Sequence, residues 1–406
     1  MLKSKIGYLF FVYVVATYYL FQLFLHPIIA SSLQEIYTIT EYNFFGVISL
    51  IFFYMTTLYI LCLLIRGRYK FKFDLLNSFY YYIPVYLICF LYFAISIDFA
   101  INFETSFRHN VRLRDVGFFM SLLPTLDMLT NIVMLNVLLN FLFTGTLKSK
   151  DSRLIILIFL STIFSFNSSL HIVKIFIAFF LIFYPKVFTI NFSIKSIFIG
   201  IILLILAGVL VVFSGTANKI GIDATIELVS SDVYKNFIEH TALRVMTSYV
   251  SLVNMMNNHL YDFNMQFNAL LSGFELMHQR VGIIFGSSPD ELIDSINRIN
   301  RNSIMIASHD RAGASPGLLA SMLYFPYIVP GFIFITLFSV AVVNTINRYT
   351  STLKNLNFLT VLTIFYFFLP LADSPITYFT IITPSFIYFL VLYILSYYKV
   401  QDNKHV

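Results

Sequence analysis

Apolar runs of about 20 residues recur along almost the whole chain, with short polar segments between them. A run of that length crosses the hydrocarbon core of a bilayer as a helix, so the pattern predicts an all-α, polytopic transmembrane helical bundle. About ten spans are predicted, at residues 6–28, 44–65, 79–101, 118–143, 154–168, 170–185, 196–214, 317–346, 356–372 and 375–398. The first run follows Lys3 and Lys5, but it is too long for a signal peptide and lacks a small-residue cleavage site, so we expect a retained span.

Residues 215–316 break this pattern, because hydropathy falls there and the chain gains most of its remaining charges. The predicted division is a bundle of spans one to seven at 1–214, one large loop domain at 215–316, and spans eight to ten with a tail at 317–406. A capping box at Ser288–Glu291 predicts the start of a helix that continues through Leu292, Ile296 and Ile299. A second, amphipathic stretch at 240–258 is of the kind that can lie along a membrane surface. The loop is therefore predicted to be helical and folded.

The composition excludes a soluble domain, because 59% of the residues are hydrophobic, 11% are charged and the mean hydropathy is +0.83. A net charge of +6 would suggest nucleic acid in a soluble protein, but here topology and an anionic lipid partner explain it, so no nucleic-acid partner is expected. Both cysteines, Cys62 and Cys89, fall inside apolar runs and are predicted to be small buried hydrophobes. Tryptophan is absent, so tyrosines near span ends, such as Tyr19, fit the role of interfacial anchors.

The distribution of lysine and arginine predicts the orientation. With a cytoplasmic N-terminus, the cytoplasmic connections hold more than half of these residues, among them Lys148, Lys150, Arg153 and Arg348. Both termini are then cytoplasmic, and residues 215–316 lie on the outer face of the membrane. For a bacterial protein this is the periplasmic side of the inner membrane.

Several charged residues need an explanation in this topology. Asp127 in the fourth span and Asp373 beside Pro375 carry a cost in hydrocarbon, and either can pair with a basic neighbour. Lys174 lies just inside the sixth span, so it should face the bundle interior or snorkel outward, and snorkelling is the favoured alternative. Arg298 and Arg301 are expected on a solvated helix face near Asp294 and Asn297. The segment RHNVRLRD, residues 108–115, places Arg108, Arg112 and Arg114 in a short outward connection, either to capture an anionic substrate or to pair with Glu104 and Asp115.

The segment SHDRAGASPGLLASMLYFPYIVPG, residues 308–331, leads with small residues, proline and glycine into an aromatic-rich helix. It resembles the corresponding region of Wzy-type O-antigen and capsule repeat-unit polymerases. The segments ALRVMTSYVSLVNMM, from Ala242, and ELMHQRVG, around Arg280, resemble arginine-bearing stretches of that family's large periplasmic loop. Lys174 resembles a basic residue found at that place in related polymerases. With the topology, the resemblance covers most of the chain.

The resemblance implies a membrane glycosyltransferase that transfers the growing glycan from undecaprenyl pyrophosphate to another lipid-linked repeat unit. The implied partners are the undecaprenyl-pyrophosphate-linked oligosaccharide, the growing glycan chain, membrane lipids and a chain-length regulator, the polysaccharide co-polymerase. The product would be O-antigen for lipopolysaccharide, or capsular polysaccharide.

Such a transfer needs fixed positive charge at the membrane face, because charge grows on the departing diphosphate. Arginine suits this role because its guanidinium binds phosphate oxygens in a bidentate manner. The predicted catalytic residues are His309, Asp310 and Arg311, with Arg311 just before Ser315 and Pro316, which would start the eighth helix and direct its N-terminal amides toward the headgroups. The predicted residues for binding pyrophosphate and glycan are Arg244, Arg280, Arg108, Arg112, Arg114 and Lys174.

Plainer roles stay open for these residues. Arg311 can pair with Asp310 or a lipid phosphate, and Arg244 and Arg280 can form salt bridges with Glu239 and Glu275. The general base is not determined; the candidates are His109, His171, His240, His278, His309, Asp310 and Glu275. The outward segments contain no Asp-x-Asp pair and no histidine cluster at ligand spacing, so neither a metal nor another cofactor is expected.

Three other functions fit parts of the pattern. An O-antigen ligase uses the same donor lipid and shares the large outward loop and its arginines, and only the acceptor distinguishes it from a polymerase. A flippase or other transporter usually shows paired repeats, which the sequence lacks. A structural scaffold would leave the outward arginines unexplained.

Overall fold

The computed structural model describes residues 44–64, 79–101, 122–165, 169–183, 221–231, 233–259, 262–284, 293–305, 314–351 and 389–394, with Tyr19, Gln22, Tyr37, Phe213, Ala217 and Pro375. Almost all of these residues are helical. They include no strand, only an isolated antiparallel bridge between Tyr37 and Met305. The prediction of an all-α chain is confirmed. The first, seventh, ninth and tenth predicted spans lie outside the described residues, apart from single positions and residues 389–394.

The helices are α1 Phe44–Leu64, α2 Phe79–Ile101, α3 Leu123–Thr144, α4 Ser149–Phe164, α5 Ser169–Phe183, α6 Ile222–Ser231, α7 Val233–Asn258, α8 Phe263–Ile284, α9 Ile296–Ile304, α10 Gly317–Ala320 and α11 Ile328–Ser351, with a 3₁₀ turn at Ser321–Tyr324. Within the described residues, α2, α3 and α11 contain segments that are long and apolar enough to cross a membrane, at Tyr82–Ile101, Thr125–Leu142 and Ile328–Arg348. Shorter apolar segments lie in α1 and α5.

The chain divides into two compact units. The first unit contains residues 1–71, 238–351 and 368–406, and the second contains residues 72–237 and 352–367. The described helices of the predicted loop from residue 238 onward therefore group with α1 and α11. The boundary at residue 238 falls within α7.

In the second unit, four helices form a bundle. Helix α2 packs against α3 and α4, and α5 packs against the same two helices. Phe159 of α4 stacks on Phe179 of α5, with 4.3 Å between ring centroids. Helix α3 ends at Gly145, whose backbone lies in the left-handed region at φ +71° and whose N–H donates to the carbonyl of Phe141. Cys89 is buried in α2, as predicted.

One end of this bundle is basic. The turn between α3 and α4 and the start of α4 expose Lys148, Lys150 and Arg153. The Lys150 ammonium lies 5.2 Å from the centroid of the Tyr82 ring, and the Tyr82 hydroxyl donates to Asp151 at 3.0 Å. This is the end that the positive-inside rule assigns to the cytoplasm.

In the first unit, α1, α7, the segment from Ala314 to Tyr324 and α11 share one hydrophobic core. Tyr54 of α1 makes a hydrogen bond with Ser339 of α11. Tyr19 is fully buried in this core, and its hydroxyl accepts the N–H of Leu319 at 3.0 Å. The prediction that Tyr19 is an interfacial anchor was therefore wrong, because its hydroxyl is bonded inside the protein.

The second half of helix α7 is largely buried inside the first unit. Met246 and Val250 from its apolar stripe are buried, and so are Ser248 and Ser251 from its polar stripe. The amphipathic pattern of residues 240–258 is of the kind that can lie along a membrane surface. The polar stripe instead packs within the first unit, where Ser251 accepts a hydrogen bond from Asn300 at 2.8 Å.

Helix α9 begins later than its capping box predicted. Residues 293–295 are not helical, and Ser288–Leu292 lie outside the described residues. The Ile293 N–H donates to Gln279 of α8 at 3.2 Å, and the Ser295 carbonyl accepts the N–H groups of Arg298 and Ile299. Arg298 is partly exposed and pairs with Asp294 at 2.6 Å, whereas Arg301 is buried, so the expectation of a solvated face was wrong for Arg301. Burial lowers the pKa of Arg301.

The eighth predicted span, 317–346, is interrupted. Helix α10 and the 3₁₀ turn occupy residues 317–324, residues 325–327 are not helical, and α11 begins at Ile328. Pro326 lacks an N–H for a helical hydrogen bond, and Tyr327 has φ +72°. A side chain at Gly331 would collide with the carbonyl of Met322, so α11 packs closely against the 3₁₀ turn.

Candidate functional site

Four helices of the second unit bring a group of polar side chains together. The Nε2 atom of His171 on α5 lies 2.6 Å from Oδ1 of Asp127 on α3. The Tyr92 hydroxyl on α2 donates to the same carboxylate oxygen at 3.2 Å. The Tyr92 hydroxyl also lies 3.2 Å from the hydroxyl of Ser165, which follows the last residue of α4. These residues, with Asn131 and Lys174, are called the Asp127 cluster below.

Asn131 fixes the proton on the His171 ring. It lies one turn after Asp127 on α3, and its amide nitrogen is 3.1 Å from Nδ1 of His171. Because an amide NH₂ group only donates, Nδ1 is the acceptor and the ring proton resides on Nε2, facing Asp127. Nδ1 of His171 is therefore bonded to Asn131, and Nε2 lies beside the Asp127 carboxylate.

Lys174 lies one turn after His171 on α5 and is buried. It faces the bundle interior and interacts electrostatically with Asp127. The favoured expectation that Lys174 snorkels outward was wrong, because an acidic partner is present inside the bundle. The expectation that Asp127 pairs with a basic neighbour is confirmed, with His171 and Lys174 as the neighbours.

The Asp127 cluster lies at one end of the bundle. Asp127 is in the second turn of α3, His171 is in the first turn of α5, and Ser165 follows the end of α4. The basic turn with Lys148 and Lys150 is at the other end of α3 and α4. His171 is 4% exposed and Asp127 is 21% exposed, so the carboxylate is the more accessible group of the pair.

Most of the predicted site residues lie outside what the structure describes. His309, Asp310, Arg311, Arg108, Arg112 and Arg114 are not among the described residues. Arg244 lies on α7 and Arg280 on α8, and the structure describes their backbone only. Their roles stay predictions. Lys174 is the one predicted site residue with a described side chain, and the structure brings it together with His171, a predicted candidate base.

The N-terminal amides at the start of the eighth predicted span do not form the anion site that the sequence predicted. The helix that follows Pro316 is a single buried turn, α10. The Leu319 N–H donates to the Tyr19 hydroxyl, and the Gly317 N–H lies 3.4 Å from the Ser315 hydroxyl. These amides are therefore bonded within the protein instead of facing headgroups.

Three members of the Asp127 cluster were not predicted from the sequence: Tyr92, Asn131 and Ser165. A usable signal existed for Asn131, because it lies four residues after Asp127 and so shares its helix face. Tyr92 and Ser165 gave no signal, since a tyrosine or a serine within an apolar run is ordinary.

A second polar network lies in the first unit. The Asn300 side chain donates to Ser251 at 2.8 Å and to the carbonyl of Ala314 at 3.0 Å, and it accepts from the Tyr324 hydroxyl at 2.8 Å. Asn300 and Tyr324 are fully buried. Nearby, burial raises the pKa of Tyr37 to about 12. The network joins α7, α9, residue 314 and the 3₁₀ turn, so its role is to fix the packing of these segments.

No family model, no curated protein and no solved structure matches this chain. The Asp127 cluster combines a carboxylate, an imidazole and an ammonium group inside an apolar bundle. Such groups can transfer a proton or balance the charge of a polar substrate. Asp127 and His171 could also be metal ligands, but the described residues contain no group of three or more such side chains.

Proposed function

We propose that the chain is a membrane glycosyltransferase that polymerises undecaprenyl-pyrophosphate-linked oligosaccharide repeat units into O-antigen or capsular polysaccharide. It would act without a metal at the periplasmic face of a bacterial inner membrane, within a bundle of about ten spans. A polysaccharide co-polymerase would set the chain length. The resemblance of residues 308–331, 242–256 and 275–282 to Wzy-type polymerases supports the reaction class.

The observation that carries the proposal is the Asp127 cluster. It lies at one end of the second unit's bundle, and the basic turn with Lys148 and Lys150 lies at the opposite end. Ionisable groups within membrane helices are costly and typically mark substrate or proton paths. With the predicted orientation, the cluster faces the periplasm, where lipid-linked repeat units are joined. Of the described residues, this group best combines a proton acceptor with a cation.

In the proposed reaction, a hydroxyl of the acceptor glycan attacks the anomeric carbon of the donor. The new oxygen–carbon bond forms as the bond from that carbon to the phosphate oxygen breaks, and its electron pair leaves with the pyrophosphate. The hydroxyl proton passes to a base. Asp127 suits this role better than His171, because its carboxylate is the more exposed of the two and the Nδ1 lone pair of His171 is taken by Asn131.

Positive charge for the departing pyrophosphate would come from the predicted arginines. Residues 102–121 join the end of α2 to the start of α3, so both attachment points lie at the end that holds the Asp127 cluster. This connection carries Arg108, Arg112 and Arg114. The proposal assigns them, with Lys174, to the diphosphate. The roles of Arg311, Arg244, Arg280, His309 and Asp310 stay predictions from the sequence.

The test is complementation of a gene disruption, with the surface glycan separated by size. The disrupted strain should carry a single repeat unit in place of a ladder. Asp127→Asn should fail to restore the ladder at normal membrane abundance. Asp151→Asn is the matched control, because Asp151 also accepts a tyrosine hydroxyl, at the opposite end of the bundle. A full ladder with Asp127→Asn would remove Asp127 as the base.

Two observations favour a second candidate, a transporter of the same lipid. Acid, histidine and lysine groups inside a helical bundle also serve as proton relays, and the eighth predicted span is a broken helix of the kind transporters use. Loss of all repeat units from the surface of the disrupted strain would indicate failed export and favour this candidate. Repeat units that polymerise but do not reach the lipopolysaccharide core would instead indicate an O-antigen ligase.

A further inference from the structure

Helix α8 of the first unit exposes a stripe of large apolar side chains. Phe263, Phe267, Leu271 and Phe274 follow one another at helical spacing, and each is between 41% and 54% exposed. Four large apolar side chains on one exposed stripe form a continuous patch, unlike the scattered apolar residues of an ordinary surface.

The other faces of α8 have different surroundings. Gln266, Ala269 and Leu276 are buried, and α8 packs against α9 and the 3₁₀ turn. Asn268 and Glu275 are exposed on the flank beside the apolar stripe. The helix therefore has a protein-facing side, an apolar exposed side and a polar exposed side. This is the arrangement of a helix at a boundary between hydrocarbon and water.

The apolar stripe continues onto the start of α11. The ring of Phe263 lies 4.9 Å from the ring of the exposed residue Tyr327. Ile328 and Val329 follow as exposed apolar residues, and further along α11 exposes Leu337. Helix α11 is long and apolar enough to cross a membrane. A helix that spans the bilayer there would present its exposed apolar side chains to lipid and its first turn to the membrane interface.

We infer that α8 lies in the plane of the membrane interface, with Phe263, Phe267, Leu271 and Phe274 inserted among the lipid acyl chains. Contact with Tyr327 sets the depth of the stripe, because side chains that touch the first turn of a spanning helix lie at the same level of the bilayer. The flank with Asn268 and Glu275 faces headgroups and water. The occupant of the patch is the bilayer itself, and this holds whichever reaction the chain catalyses.

The chain contains no tryptophan, so a single substitution creates a fluorescent reporter free of background. We would reconstitute the full chain carrying Phe267→Trp into phosphatidylcholine vesicles whose acyl chains are brominated either near the ester or near the chain end. Asn268→Trp is the matched control on the adjacent polar flank, and Leu271→Trp provides a second reporter on the stripe.

The inference predicts strong bromine quenching of Phe267→Trp and Leu271→Trp, at a depth of about 5–10 Å below the headgroup boundary. Asn268→Trp should be quenched several-fold less and should emit at longer wavelength. Equal quenching at the stripe and the polar flank would overturn the inference. Blue-shifted emission from the stripe without quenching would also overturn it, since a second copy or another protein would then cover the patch.

Discussion

The Nε2 atom of His171 lies 2.6 Å from the Oδ1 atom of Asp127, in a pair that joins α5 to α3. Asn131 holds the opposite side of the imidazole ring, and Tyr92 donates to the carboxylate. Each partner therefore limits the orientation of the next. The pair thus stabilises the bundle. It also places an acid and an imidazole side by side at the end opposite the basic turn between α3 and α4.

Removal of the histidine should destabilise the second unit. His171→Ala leaves Asp127 and Asn131 with lost partners, and a buried polar group without its partner costs about 1–3 kcal/mol. Thermal unfolding of the purified protein in detergent measures the effect. His278→Ala is the control, because His278 is exposed on α8 and should change the unfolding temperature little. Equal shifts for the two variants would contradict this account of the pair.

Two glycines with positive φ should respond differently to alanine. A Cβ at Gly317, at φ +75°, would lie 2.5 Å from both Ser248 Cβ and the Tyr19 hydroxyl, whereas a Cβ at Gly145, at φ +71°, would meet nothing within 4 Å. Gly145→Ala should cost only the backbone strain of about 1–2 kcal/mol. Gly317→Ala should cost more, because the core around Tyr19 must also move. Unfolding midpoints in detergent compare the two, and a larger loss for Gly145→Ala would contradict the packing.

The hydroxyl of Tyr324 should matter more than that of Tyr86, a half-buried tyrosine whose hydrogen bond is exposed. Tyr324→Phe removes the donor to the fully buried Asn300 side chain and should destabilise the first unit by about 1–3 kcal/mol. Tyr86→Phe removes a bond of equal length, 2.8 Å, to the exposed carbonyl of Lys150, which water can replace. Chemical denaturation of both variants measures the difference, and equal losses would argue against a structural role for the Asn300 network.

Acidification should loosen the start of α8. A hydrogen bond from the Met265 N–H holds the pKa of Asp262 below its ordinary value, and His259 adds to the effect. A depressed folded-state pKa gives stability that is present above the ordinary value of about 4 and is lost as the pH falls below it. Hydrogen exchange of the first turn of α8, corrected for its intrinsic pH dependence, should therefore rise at low pH. Asp262→Asn keeps the acceptor but should abolish the change.

The sequence predicted those helices whose apolar runs decide their position. The span at 79–101 coincides with α2, and the runs at 44–65 and 170–185 differ from α1 and α5 by one or two residues. At 154–168 the helix begins five residues earlier, at Ser149, because its first turn is polar and hydropathy does not detect it. The predicted span at 317–346 fails for the opposite reason, since apolar residues continue through a break that depends on the backbone at Pro326 and Tyr327.

The candidate site was harder to predict, because it depends on which helices face one another. Asp127 and Lys174 stood out as charged residues in apolar runs, and His171 was one of several candidate bases, but no spacing within the sequence shows that α3 and α5 are neighbours. Without a known neighbour, an ammonium near a span end is expected to snorkel, as Lys174 was. Arg301 was assigned to a solvated face because it follows Asp294 and Asn297 in a polar, charged segment. The positions of the Lys174 and Arg301 side chains depend on tertiary contacts, which the sequence alone does not show.

The most direct measurement of the central claim uses the purified chain in proteoliposomes with a lipid-linked repeat unit as the sole glycan. The account predicts a ladder of products that lengthen by one repeat unit, with release of undecaprenyl pyrophosphate, and no ladder with Asp127→Asn. If the intact chain leaves the repeat units unjoined, or moves them across the bilayer without releasing pyrophosphate, the account is contradicted.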